Sequence, residues 1–225
     1  MPMTKENSKK TVNMALLKSI WAKAIKKKTL MVGLCVIAAL AILLFIISRV
    51  TAQGDLYAAG YERNDLGNTV ATVWKNGGAH WRLNDGSCNA SVNSIFVSGD
   101  DVYAAGYESN DLGNSVAAVW KNGGVHWWLT DGNYHAEAYS IFVWGDDVYA
   151  AGYERNDLGN SVATVWKNGD AYWQLTDGDY YEEAHSIFVS GGDVYVAGYE
   201  RNDNWAGIAT VWKNGDVHWR LTDGN

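Results

Sequence analysis

Proline is nearly absent from this chain, with one residue in 225. Its turns must therefore be made by Gly, Asn and Asp, and 24 glycines are present to make them. Cysteine is almost as scarce. Cys35 lies in an apolar run and Cys88 in the repeated part, so no disulfide framework can be drawn. Burial and hydrogen bonding must hold the fold instead. Catalytic signatures are missing too: there is no G-x-S-x-G, P-loop, C-x-x-C pair or H-E-x-x-H. Basic charge is lacking over most of the length. Residues 50–225 hold nine Lys and Arg against 24 Asp and Glu, a net charge of −15. That excludes nucleic acid as a partner, because such binding needs cations to neutralise phosphates.

What is there is unevenly placed. Residues 1–28 carry eight Lys and one Glu. Lys26-Lys27-Lys28 then precede an uncharged run of 18 residues from Leu30 to Ile47. A transmembrane helix needs roughly 20 apolar residues, so this run is just long enough to be the membrane partner. The basic flank stays in the cytoplasm by the positive-inside rule. The expected organisation is a basic cytoplasmic tail (1–28), a transmembrane helix or signal-anchor (29–48) and extracytoplasmic repeats (49–225). The rival is a signal peptide cleaved near Ala52, which would release a secreted protein. A 28-residue basic leader and a long apolar run argue against it. Both readings put the repeats on the same side of the membrane.

The repeat has a period of 46 residues. Leu56, Val102, Val148 and Val194 are in register, and residues 102–147 match 148–193 at 34 of 46 positions. Such a period indicates a solenoid, propeller or array. Each unit offers four short strands rich in Val, Ile, Tyr and Trp: "SIFVSGD", "VYAAGYE", "VATVWK" and "HWRLTD" or "YWQLTD". In the third, Val162, Thr164 and Trp166 share one face while Ala163, Val165 and Lys167 share the other. Asn76-Gly77, Asn122-Gly123, Asn168-Gly169 and Asn214-Gly215 predict type I′ hairpins between the third and fourth strands. Asp-Gly closes the fourth strand before a variable stretch of about seven residues.

Four antiparallel strands in 46 residues is the size of a β-propeller blade. The order "SIFVSG", "VYAAGYE", "VATVWKNG", "YWQLTDG" resembles the kelch type of repeat, over roughly residues 50–225. The departure is at Ala105-Gly106-Tyr107, where that family has two glycines. The resemblance implies an inner "SIFVS" strand and an outer "WRLTD" strand. The first unit then has only "RVTAQG" as its inner strand, next to the membrane segment. The expected fold is all-β: a propeller of four blades (about 49–93, 94–139, 140–185 and 186–225) after one N-terminal transmembrane helix. A fragment of a longer array is the alternative to closure.

Candidate binding residues fall into two sets. A propeller would set Glu62, Glu108, Glu154 and Glu200 in a ring, able to hold cations or a basic partner. Repeat symmetry alone would also create that ring. Trp128, Trp144 and Trp205 lie where the copies differ, and with Tyr134, Tyr180 and Tyr181 they form the expected ligand-binding set. The remaining repeat-register tryptophans, Trp74, Trp120, Trp166 and Trp212 with Trp81, Trp127, Trp173 and Trp219, are expected to pack between blades. "YERNDLGN" has oxygen ligands enough for Ca²⁺, yet the same residue types make turns, which is the favoured reading. His80, His126 and His218 alternate with Tyr172, which suits strand positions better than metal ligands or bases. No metal, cofactor or catalytic residue is expected. The sequence points to a membrane-anchored, non-cytoplasmic β-propeller that binds or scaffolds a protein or glycan. The alternatives are a propeller enzyme acting on glycans and an open surface-array or adhesin fragment.

Overall fold

The computed structural model describes residues 54–224. The uncharged run at residues 30–47 and most of "RVTAQG" lie outside the described residues. Every described element is a strand, in four antiparallel meanders. The first sheet holds β1 (Tyr57–Arg63), β2 (Thr69–Lys75) and β3 (Gly78–Arg82). The second holds β4 (Ala90–Ser98), β5 (Asp101–Ser109), β6 (Ser115–Lys121) and β7 (Gly124–Trp128). The third holds β8 (Ala136–Trp144), β9 (Asp147–Arg155), β10 (Ser161–Lys167) and β11 (Asp170–Gln174). The fourth holds β12 (Glu183–Ser190), β13 (Asp193–Arg201), β14 (Gly207–Lys213) and β15 (Asp216–Arg220). Three sheets thus have four strands, and the first has three among the described residues.

The Asn-Gly hairpins form as expected. Asn76, Asn122, Asn168 and Asn214 take φ of 51–53°, followed by glycines at positive φ. Each Asn also latches the sheet. Asn168 Oδ1 accepts from Val148 N at 2.9 Å, and its Nδ2 donates to Asp147 Oδ1 at 2.9 Å. Asp147 in turn pairs with Lys167 at 2.8 Å. The same latch recurs at Asp55, Asp101 and Asp193.

Each sheet uses both faces, and alternation along the strand explains how. Trp120 and Ala118 point back to the first sheet, where they meet Val73, Ala71 and Leu83. Val119 and Ala117 point forward and meet Trp166, Ala150 and Ile141 of the third sheet. Val165 and Ala163 then meet Trp212, Val196 and Ile187 of the fourth. Trp120, Trp166 and Trp212 are fully buried by this stacking. The first strands of neighbouring four-stranded sheets also touch. Phe96, Phe142 and Phe188 form a column with centroids 4.9 and 5.1 Å apart. Ser94 and Ser140 each accept a backbone N–H from the next sheet, Ile141 and Ile187 respectively, at 3.2 Å.

Two observations correct the sequence expectations. First, the variable stretch is not all loop. The first strand starts at Ala90, Ala136 or Glu183, several residues before "SIF", and carries a bulge just ahead of that motif. The bulge explains the glycine of "VYAAGYE". A Cβ on Gly106, Gly152 or Gly198 would sit about 2.0 Å from the carbonyl oxygen of Ser91, Glu137 or Glu183. Second, the first and fourth sheets do not bury one another. Leu56 is 72% exposed, against 3–5% for Val102, Val148 and Val194. Leu221 is 64% exposed, against 7–8% for Leu83, Leu129 and Leu175. Among the described residues the four sheets stack in order, with these two faces exposed.

Candidate functional site

Glu62, Glu108, Glu154 and Glu200 lie near the ends of β1, β5, β9 and β13, opposite Val70, Val116, Val162 and Ile208. They do not act as one set. Their surroundings are decided by the outer strand, where the residue opposite Thr72, Ala118, Thr164 and Thr210 is Arg82, Trp128, Gln174 and Arg220 respectively. Glu62 pairs with Arg82 at 2.9 Å, and Glu200 with Arg220. Glu108 has Trp128 where the arginine would be. Its half-buried carboxyl is pushed above the usual carboxylate range by desolvation, helped by the negative charge of Asp85. Glu154 is pushed up the same way, with Asp131 as its neighbour.

A pocket lies beside Glu108. Glu108, Ser109, Asn110, Asp111, Val116, Trp128, Thr130 and Asp131 line a cavity of about 420 Å³. Trp128 is 47% exposed and presents one apolar wall. The other lining groups are mostly hydrogen-bond acceptors. The Thr130 hydroxyl is buried without a hydrogen-bond partner among the described residues. Its counterparts Thr176 and Thr222 each accept the backbone N–H of the third strand, from Ala163 and Ala209. At the corresponding place on the fourth sheet lies a hollow of about 620 Å³, where Arg220 takes the place of Trp128.

The structure brings Glu108 and Trp128 together, gathers Trp205 with Tyr180 and Tyr181 elsewhere, and leaves Trp144 and Tyr134 apart from both groups. Trp144 is exposed at the end of β8, next to the turn into β9. Trp205 lies in the loop between β13 and β14, edge-on to Tyr180 with centroids 5.2 Å apart. It holds φ 63° where the other copies have Gly67, Gly113 and Gly159. Tyr181 lies beyond it, centroids 6.5 Å apart, and Tyr134 is exposed in the linker before β8. The "YERNDLGN" loops are explained by their own hydrogen bonds. Asn156 Oδ1 accepts from Leu158 N and Asn160 N, and its Nδ2 donates to Gly178 O at 2.9 Å. Its counterpart Asn110 binds in the same way.

Sequence reasoning missed a second group. Tyr153, Tyr139, His185 and Tyr199 form a continuous row across the third and fourth sheets, with centroids 5.7, 5.3 and 5.6 Å apart in sequence along it. Glu137 and Glu183 accompany the row. Burial and then Glu183 push the Glu137 carboxyl up, and burial and these carboxylates push Tyr139 and Tyr153 up. The signal was in the alignment of the copies. Asn93, Tyr139 and His185 share one register position, and Ser91, Glu137 and Glu183 another. Reading the stretch as loop hid the fact that these side chains stand on a strand.

No protein-family model matches the sequence, and no curated protein matches it at a significant level.

Proposed function

We propose that the protein is a membrane-anchored, non-cytoplasmic binding module built from β-propeller-type blades, and that it recognises glycan at the Glu108–Trp128 pocket. The single observation that carries this reading is the replacement of a paired arginine by Trp128 beside an unneutralised Glu108. Sugars present apolar C–H faces that lie on aromatic rings, and hydroxyl donors that need acceptors. Trp128 supplies the first. Glu108, Asp111, Asp131 and the unpartnered Thr130 hydroxyl supply the second. The role is binding rather than turnover. The anchor is the run from Leu30 to Ile47, supported by its length and its Lys flank. The blades resemble the kelch type in strand order.

The test is a titration of the protein with neutral oligosaccharides, followed by tryptophan fluorescence and calorimetry. Saturable binding that Trp128→Ala abolishes and Glu108→Gln weakens is the expected result. Binding unaffected by both changes, or no binding across a broad oligosaccharide panel, overturns the reading.

A further inference from the structure

The three sheet-to-sheet junctions inside the chain are built from the same parts. The indole of Trp81 lies against Gly123, that of Trp127 against Gly169 and that of Trp173 against Gly215. A methyl group on these glycines would come within 2.6, 2.7 and 3.0 Å of the ring. Only a bare glycine at the hairpin lets the neighbouring indole lie flat over it. Around each pair, a leucine of the earlier sheet (Leu83, Leu129 or Leu175) packs into the cluster, against a buried tryptophan (Trp120, Trp166 or Trp212) of the later one.

The same parts are present, and unused, at the two outward faces. On the fourth sheet Trp219 is 58% exposed, as are Leu221 just after it and Phe188 on the opposite edge strand, β12. On the first sheet Gly77 has nothing within 4 Å of where its Cβ would be. Around it Leu56 and Ala58 are exposed and Trp74 is only partly covered. One face holds the indole without its glycine. The other holds the glycine without its indole. Stacks of repeats normally end in polar surfaces, and neither of these is polar.

We propose that a second copy of this chain docks head to tail, its first sheet on the fourth sheet of its neighbour, with Trp219 over the neighbour's Gly77. The occupant is fixed by continuity with the internal junctions. The sheet that fits Trp219, Leu221 and Phe188 is one carrying the glycine hairpin and apolar back face of β1 and β2, and the chain itself supplies it. The interface is heterologous: it closes into a ring if the rotation permits and otherwise grows as an array. Either product extends the internal stacking across the chain boundary.

The test uses the full chain in nonionic detergent and two variants, Trp219→Glu and Ala58→Glu. Both positions are exposed in the single chain, so neither change enters a core. Circular dichroism on each variant checks that the strands are retained. Sedimentation velocity should show the unaltered protein associating with rising concentration. Each variant alone should lose that association, since each keeps only one good face. An equimolar mixture should regain a heterodimer and nothing larger, because the intact head of one variant meets the intact tail of the other. An unaltered chain that stays monomeric at every concentration overturns the proposal and indicates closure within the chain or idle faces. Association that survives in both variants also overturns it and assigns self-association to another surface, the residue 30–47 run included. Mixed variants that remain monomeric refute the head-to-tail geometry.

Discussion

Gly77 and Gly169 offer a controlled comparison within one molecule. Both follow the Asn of a type I′ hairpin, with φ of 84° and 95°. Alanine at either site must hold a left-handed backbone, which costs about 1–2 kcal/mol. Beyond that the sites diverge. At Gly77 the new methyl meets nothing within 4 Å. At Gly169 it would lie 2.7 and 2.8 Å from Cδ1 and Cγ of Trp127, closer than carbon atoms approach. The indole must shift and take with it a packed junction that includes Val119, Leu129 and Trp166. Overpacking of this kind costs about 1–3 kcal/mol more. Gly77→Ala should therefore lose about 1–2 kcal/mol and Gly169→Ala about 2–5 kcal/mol. Urea unfolding followed by tryptophan fluorescence measures both, at concentrations that keep the chain monomeric. Equal losses would refute the claim that the indole–glycine contact holds the sheets together.

Four further outcomes are expected. Trp128→Arg should recreate the pair seen at Arg82–Glu62 and Arg220–Glu200, abolish ligand binding at the pocket and leave unfolding stability within about 1 kcal/mol, the range of exposed ion pairs. Glu182→Ala should stabilise by about 1 kcal/mol or more at neutral pH: Glu182 is buried with Oε2 unpartnered, where the other copies have fully buried Ala90 and Ala136. Asn156→Ala should destabilise by about 1–3 kcal/mol, read by thermal unfolding, since one amide holds both the loop and the Gly178 linker. The pH dependence should split by site. Glu137 has a raised pKa, so its ionisation opposes folding, and Glu137→Gln should stabilise at neutral pH with a gain that fades as pH falls through the carboxylate range near about 4. Asp147 has a pKa lowered by Lys167 and Asn168, so its contribution is present at neutral pH and disappears on acidification; Asp147→Asn should lose stability at pH 7 and match the unaltered protein in acid.

Much of the fold was legible because its rules are local. Period-two alternation assigned Trp166 and Val165 to opposite faces, and the structure puts them in different junctions. Asn-Gly fixed the hairpins, since few other pairs tolerate two positive φ values. The bulge before "SIF" was not legible, because it arises from the pairing of two strands and its trace is the glycine of the other strand, Gly106, which pairs with Val92 and lies against the Ser91 carbonyl. The pocket was half legible. Glu108 and Trp128 were both singled out, but for separate reasons. Their meeting depends on β5 and β7 flanking β6, with the bulge at His126 of β7 setting which residue of β7 lies opposite Ala118. The four glutamates looked equivalent in sequence because their own strand is nearly invariant between copies. Their differences come from the outer strand.

That division explains where binding chemistry can arise on such a scaffold. Residues in the junctions must suit two sheets at once, one ahead and one behind, so Trp120, Trp166 and Trp212 and the glycines at 123, 169 and 215 recur without change. The register position of Arg82, Trp128, Gln174 and Arg220 lies on the outer strand, outside the buried clusters, and three residue types occupy it. An arginine at that position pairs with the glutamate. A tryptophan leaves the charge without its partner and walls it with an aromatic face. That one difference between copies therefore exchanges an ion pair for an unpaired carboxyl beside an aromatic wall, while the junctions on both sides keep the same parts. On the proposed reading, recognition falls to the outer-strand position of Trp128 and assembly to the parts that recur in the junctions.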